Sequence, residues 1–456
     1  MTETQLEQTA PIQTAVTSQF SVWRTMRLGT FQIGSAMADI LTASVWNRVM
    51  IADFGVPATP VGFLLALQYL LIPVAFWAGY RSDTKKLWGK RRISYIWLGR
   101  SWMVLSFPLL GLSVRFFEQG EAVTGWLLAL ATFLLFGLGK LLSGSVYLAL
   151  VRESAPAAKQ GIAIGIVEIT LIASFPIMAV MYGRWMETYD PRTFATLLLA
   201  TAVICGFFWW ISIAGAEKHI SQTISGKLGA GQKNARAAFK HIWQDGRVRR
   251  FFAFLFVATF AAWMQDNILE PFGADVFGLE AGQTTRFTGY WGGATIVVLL
   301  ASFIIWRKRP PETLAPIAKI GLVIMGLGMA LLAGVTLTGQ ERWLTSALIL
   351  FGLGFGLYSF GGLSLMVVMS PDQNAGAYLG LWSICILISK GLGTFVGGLF
   401  RDIFFLGAGW TAALSYALVF VMAAVGLLIA AAILSGQQVI SFAADYGRSV
   451  KKSNPN

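Results

Sequence analysis

A shift of 215 positions lays one half of this 456-residue chain onto the other. Phe136-Gly137-Leu138-Gly139 meets Phe351-Gly352-Leu353-Gly354, Pro156 meets Pro371, Gly161 meets Gly376 and Gly165 meets Gly380. In each copy an apolar segment ends, a polar turn follows, and a second apolar segment starts on small residues. Two parallel copies of a helical membrane unit are a common way to build a carrier with a site between two bundles. A duplicated membrane carrier is therefore the first reading, ahead of any enzyme.

Composition supports a lipid environment. The chain is 56% hydrophobic and 12% charged, whereas a soluble chain carries roughly a quarter charged residues. The charges are collected between long apolar runs, so most side chains must face lipid or other helices. The 49 Gly suit close helix approach in a bilayer, and the 17 Trp and 33 Phe supply interfacial anchors and flat apolar surface.

Apolar runs of about 20 residues read as spanning helices. They fall near 30–52, 58–80, 94–114, 123–149, 161–182, 193–214, 251–270, 287–306, 314–336, 343–369, 376–400 and 410–434. The chain divides into an arm (1–29), a six-helix bundle (30–214), a basic linker (215–250), a second six-helix bundle (251–435) and a tail (436–456). Within the linker, Ala235 to Gln244 reads as a short amphipathic surface helix. Of the 35 Lys and Arg, 24 lie on the side of both termini and the linker and 6 on the other. That excess predicts a multi-pass bacterial inner-membrane protein with both termini in the cytoplasm. The net charge of +13 is thus an orientation and headgroup signal, and no nucleic-acid partner is expected. Residues 1–19 are polar and show no signal-peptide pattern. Twelve helices in two sixes, with a long basic loop between, match the all-α major facilitator architecture.

Ionisable residues inside spans cost a few kcal/mol each on insertion scales, so each needs a partner or water. Asp39 and Arg48 share the first helix on opposite faces and so do not pair with each other. Arg48 lies about 27 Å along that helix, near its outer end. In the seventh helix, Asp266 and Glu270 share one face. An offset of 218 aligns Phe54-Gly55 with Phe272-Gly273 and Arg48 with Asp266. This predicts an outer gate in which Arg48 bridges to Asp266 or Glu270; independent snorkelling is the alternative. Lys140 and Glu168 form a second candidate pair, structural or part of a substrate or proton site. Lys390 and Arg100 read as packing or snorkelling residues. The Arg152-Glu153 turn reads as solvated, or paired with the basic loops.

Gly79-Tyr80-Arg81-Ser82-Asp83 and Gly89-Lys90-Arg91-Arg92 look like the major facilitator loop motif, with a spacer three residues longer than usual. Asp83 is expected to cap a helix end while Arg91 and Arg92 hold the neighbouring bundle and headgroups; a plain positive-inside loop is the alternative.

Several chemistries fall away. No Gly-x-x-x-x-Gly-Lys-Ser/Thr sequence is present, the two cysteines sit in separate apolar runs, and both histidines lie in the linker. No ATPase, metal centre or Ser-His-Asp set is expected, and no tightly bound cofactor.

Asn47-Arg48-Val49-Met50-Ile51, Val56-Pro57, Ser82-Asp83 and Arg92-Ile93-Ser94-Tyr95-Ile96-Trp97 carry a more specific likeness. This run resembles the bacteriochlorophyll delivery family, the light-harvesting assembly proteins of the PucC and LhaA type, a major facilitator branch of phototrophic bacteria. The likeness covers the whole twelve-helix plan, with its specific residues concentrated in positions 31–100. It implies a protein of the photosynthetic membrane that brings bacteriochlorophyll to antenna polypeptides, or assists their assembly, alongside pigment-synthesis enzymes. Phe, Trp and Gly leave room for a flat pigment. With no membrane histidine, its magnesium takes a carboxylate, an amide, a backbone carbonyl or water, and Asn47, Gln68, Glu168 and Asp266 are the side-chain candidates. Two rival readings remain: a proton-coupled carrier of a small amphipathic solute, and a pigment-free assembly chaperone.

Overall fold

The computed structural model describes residues 20–156, 159–219, 243–306, 309, 311–370 and 375–435. Within them the chain crosses the bundle as a series of helices. α1 (Val22–Ile40) continues through π-helical turns at Leu41–Trp46 and Val49–Asp53 as the first crossing. α2 (Ala58–Leu70) and α3 (Ile72–Thr84) make the second, broken just ahead of Pro73. α4 (Ile93–Glu118), α5 (Ala122–Glu153), α6 (Gln160–Trp185) and α7 (Pro191–Ile213) complete the first half. In the second half, α8 (Gly246–Trp263) and α9 (Leu269–Phe277) form one crossing. α10 (Ala281–Trp306), α11 (Ala315–Thr338), α12 (Leu344–Val368), α13 (Ala375–Asp402) and α14 (Ala412–Leu434) follow. The result is the twelve-crossing, two-bundle plan. The proposed surface helix at Ala235 to Gln244 lies almost wholly outside the described residues.

The 215-residue repeat is visible in element ends. It carries the last residue of α5 onto the last of α12, and the first of α6 onto the first of α13. Its glycines have equivalent jobs. A Cβ on Gly139 would meet Met103 Cγ at 3.0 Å and press on the Gly99 carbonyl, while one on Gly354 would meet the Gly321 carbonyl at 2.7 Å. Each lets the third and fourth helices of its half cross in near backbone contact.

Nine helical stretches among the described residues are long and apolar enough to cross a bilayer. The first, third and seventh crossings are missing from that set. The first and seventh are broken and carry Asp39, Arg48, Gln265 and Asp266, and the third carries Arg100 and Arg115. Polar side chains at membrane depth are tolerated where they are buried in protein or line a cavity. Arg100 is such a case: it is 6% exposed, with its guanidinium 4.4 Å from the Phe31 ring centre and 4.7 Å from that of Trp209. It is a packing residue, and it does not snorkel.

The halves meet along two seams, α2 on α13 and α6 on α10. Bonds between halves gather at the face opposite the chain ends, here called the far face. Asn47 Nδ2 donates to the Asn267 carbonyl at 2.9 Å, and Asn267 Nδ2 to the Ala58 carbonyl at 3.2 Å. Asp402 at the end of α13 accepts from the Ala58 amide at 3.0 Å and from the Thr59 amide and hydroxyl, both at 2.6 Å. An aspartate from one half thus caps the first turn of a helix in the other, where unpaired amides and the helix dipole favour an anion. On the second seam, the Gly282 amide donates to the Glu187 carbonyl at 2.8 Å. Glu187 and Asp402 are repeat equivalents at the 215-residue offset, so the two latches are pseudo-symmetric.

Candidate functional site: a central chamber

The breaks in the first and seventh crossings place polar groups between the halves. The first winds into π turns from Leu41, which are frequent at functional sites. The seventh loosens over Met264–Ile268, where backbone bonds run to the third residue back, as from Asp266 to Trp263 at 3.1 Å. Neither break carries a Gly or Pro. Together they wall a chamber of about 360 Å³. Its polar lining is Asp39, Gln68, Lys140, Gln265, Asp266, Glu270 and Lys390; Tyr69, Phe175, Trp263, Trp291 and Phe355 give flat apolar walls.

The charges pair otherwise than the sequence suggests. Lys140 Nζ lies 2.7 Å from Asp39 Oδ1, so its partner is the first helix and not Glu168. Glu168 is half-buried on α6 and is not part of the chamber wall. Pairing by depth alone had no term for which helix neighbours which. Arg48 does not bridge to Asp266 or Glu270. It pairs with Asp53 one turn on, and its Nη2 donates to the Leu279 carbonyl at 3.2 Å. It still ties the halves at the far face, through a backbone acceptor that no reading of side chains reveals. Asp266 Oδ2 accepts the Thr394 hydroxyl at 3.1 Å, and Glu270 Oε1 that of Thr288 at 3.0 Å. Ser44 meets Thr288 at 3.4 Å, closing the chamber toward the far face.

Lys390 does not merely pack or snorkel. It lines the chamber with its ammonium 3.4 Å from the Trp263 ring centre and 5.7 Å from that of Tyr69. Sequence reading also passed over Gln265, whose Oε1 is buried without a donor, as is Glu270 Oε2. The signal was present: Gln265-Asp266-Asn267 puts three adjacent polar residues in an apolar run. Of the four candidate pigment ligands, Gln68 and Asp266 line the chamber. Asn47 is fully buried in the far-face seam, with Oδ1 unpartnered, and Glu168 lies outside the wall.

The loop motif sits at the opposite end and works within the first half. Leu87 and Lys90 bond to each other across a turn in which Trp88 (φ 47°) and Gly89 (φ 76°) are both left-handed. This is the backbone a tight primed turn requires, and it absorbs the three extra residues. Arg92 is 5% exposed and bonds Glu153 at 2.5 Å and Ser82 at 2.9 Å, and Ser82 in turn donates to the Gly79 carbonyl at 2.8 Å. The Glu217 carboxylate accepts from the Arg91 amide at 2.9 Å and from the Arg92 amide. The bonds described here tie the ends of the second to fourth crossings to one another and to the linker. The Asp83 side chain lies outside the described residues. Arg152 donates to Gln160 at 3.0 Å, and Glu153 is paired with Arg92 rather than solvated.

A double-mutant cycle checks the pairing. Asp39→Asn with Lys140→Gln should show coupling of about 0.5–3 kcal/mol in thermal stability. Lys140→Gln with Glu168→Gln should add within about 0.5 kcal/mol. Coupling in the second cycle and none in the first would reverse the assignment.

With this geometry described, comparison with known proteins places the chain. A family model described as "PUCC protein" matches residues 45–441. The chain belongs to the PucC family. Protein PucC of Rhodovulum sulfidophilum is 28% identical over 403 residues, covering 86% of this chain and 88% of the relative. An uncharacterized protein in the puhA-bchM intergenic region of Rhodobacter capsulatus is 27% identical over 439 residues, covering 92% and 89%. A Rhodobacter capsulatus relative named bacteriochlorophyll synthase 44.5 kDa chain is 26% identical over 379 residues, covering 81% and 85%. Among solved structures, a POT family transporter in complex with 5-aminolevulinic acid matches with TM-score 0.69 at 13% identity, covering 94% of this chain and 98% of that one. An inward-facing, occupied bacterial homolog of the lysosomal transporter Spinster matches with TM-score 0.66 at 15% identity, covering 95% and 98%. These likenesses establish the major facilitator fold. Family and fold together make this a multi-pass bacterial membrane protein associated with photosynthesis.

Proposed function

We propose that the protein is a light-harvesting assembly factor of the photosynthetic membrane that takes up bacteriochlorophyll between its halves and releases it to antenna polypeptides. The observation that carries this reading is the match of residues 45–441 to the PucC family. The chamber supports it chemically. Trp263, Trp291, Phe175 and Phe355 offer faces for a flat macrocycle, and Gln68 and Asp266 offer the oxygen atoms that magnesium prefers. A long hydrocarbon tail would leave along a seam into lipid. The protein acts here as a carrier rather than a catalyst, from the inner or intracytoplasmic membrane with both termini cytoplasmic. Antenna polypeptides and pigment-synthesis enzymes are the proposed partners.

A second reading, proton-coupled carriage of a small amphipathic solute, draws on the buried Asp266 and Glu270 and on the transporter fold. Detergent purification from a phototroph separates these. Co-eluting pigment with antenna polypeptide supports delivery. Antenna polypeptide without pigment supports a pigment-free chaperone, and neither component supports the solute carrier and removes the proposal.

A further inference from the structure

Phe63 and Phe395 close the lipid edge of the seam between α2 and α13, with ring centres 6.3 Å apart. About 10 Å further from the far face, the same edge passes to Leu70 and Ile388. Each lies seven residues from its phenylalanine and so on the same helix face, yet Leu70 is 55% exposed and Ile388 38%. α2 ends at Leu70. Pro73 gives no N–H to the Tyr69 carbonyl, and the Val74 amide turns back to the Leu71 carbonyl at 2.9 Å, so the helix breaks. Beyond the break α3 packs on α5 and makes no comparable contact with α13 among the described residues. Trp77, seven residues past Leu70, is 53% exposed. The seam is shut on the far-face side of the break and parted on the other. At the other seam α6 and α10 run unbroken, and the repeat carries Leu71 onto Arg286 within α10.

The chamber reaches this opening, because Leu65, Gln68, Tyr69 and Lys390 belong to its wall. Gln68 is half-buried, and its Nε2 donates to the Leu65 carbonyl at 3.1 Å. That bond holds the amide and leaves Oε1 without a donor among the described residues. Asp266 is less free, since it accepts the Thr394 hydroxyl and shares its charge with Lys390. A chamber of about 360 Å³ lined by Asp39, Lys140, Asp266, Glu270 and Lys390 is a poor place for a long hydrocarbon tail. A tail left in the bilayer loses no apolar solvation.

We propose that the break between α2 and α3 makes a lateral portal at Leu70, Trp77 and Ile388. Through it the tail of an esterified magnesium tetrapyrrole lies out in lipid, while Gln68 Oε1 behind it takes the magnesium. This rests on the pigment reading above and names the tailed, metal-bearing form as the ligand of the same site.

The test uses the purified full chain in detergent with three probes: bacteriochlorophyll a, its tailless methyl ester, and the metal-free, tailed bacteriopheophytin a. Binding is read from the absorption shift of each pigment on titration. Ile388→Trp fills the portal and should weaken the tailed pigments about tenfold, leaving the methyl ester within about twofold. Gln68→Leu should weaken both magnesium pigments about tenfold and spare the metal-free one, and Gln68→Glu, which keeps an oxygen, should restore the difference. Thermal scans confirm that the variants fold. Equal effects of Ile388→Trp on tailed and tailless esters, or none on either, overturn the portal while the pigment reading stands. Equal effects of Gln68→Leu with and without the metal, or none on either, overturn the ligand in the same way. A phospholipid that displaces the tailed pigment at equal potency marks a general acyl-chain groove and also overturns the portal. Binding of none of the three probes removes the pigment reading as well.

Discussion

Asp402→Ala is expected to destabilise the protein by about 3–5 kcal/mol, the usual cost of breaking one side of a buried, hydrogen-bonded charge cluster. Asp402 is 8% exposed and bonds three groups of the other half, the Ala58 and Thr59 amides and the Thr59 hydroxyl. It also accepts from Arg401 at 2.9 Å. Arg401 is 3% exposed and would keep Asp275, at 2.7 Å, Tyr416, at 3.2 Å, and the Phe405 ring, 4.6 Å from its guanidinium. The loss therefore falls on the closed arrangement of the halves as well as on one helix end. Thermal scanning in detergent reads the first effect. Maleimide labelling of a cysteine placed at Ser44 reads the second, against native Cys205 and Cys385, both buried. The repeat-equivalent Glu187→Ala is the control. Its latch is made by the backbone carbonyl and its side chain is exposed, so it should stay within about ±0.5 kcal/mol. Equal effects at the two positions would show that the far-face latch does not depend on the carboxylate.

That contrast marks the limit of what the chain alone discloses. Apolar runs, basic loops and the 215-residue offset were enough for the twelve crossings, because lipid forces every backbone group into helices of known length. Phe136-Gly137-Leu138-Gly139 even pointed to where helices touch, since only glycine permits the approach at Gly139. The site was less legible. Asp39, Lys140, Asp266 and Glu270 were recognisable as costly buried charges, and all four line the chamber. Their partners depend on which helices neighbour one another and on backbone acceptors such as the Leu279 carbonyl. Neither is encoded in spacing along one helix. Lys390 was passed over because an isolated lysine reads as snorkelling until the Trp263 ring beneath it is seen.

The glycines of the seams yield the second large effect, and it has opposite signs at the two ends. Gly183 of α6 and Gly398 of α13 are repeat equivalents near the far face. A Cβ on Gly183 would lie 2.6 Å from the Gly282 carbonyl, and one on Gly398 would lie 2.8 Å from the Ala58 carbonyl and 2.6 Å from Asn267 Nδ2. Both obstacles include backbone of the other half, which cannot rotate away. Gly183→Val and Gly398→Val should each cost about 1–3 kcal/mol or more and speed labelling of the Ser44 cysteine. Gly165 and Gly380, repeat equivalents nearer the other end of the same two helices, meet nothing within 4 Å among the described residues. Alanine there should be neutral or stabilising by about 0.5–1 kcal/mol, since it removes only the entropy of a mid-helix glycine. A bulkier leucine should leave thermal stability intact yet block function, if the halves rock so that this end closes when the far face opens. Antenna assembly or ligand release is then lost in a protein that folds normally. Full activity in Gly165→Leu and Gly380→Leu would mean that the chain works without bringing those surfaces together, and alternating closure would have to be abandoned.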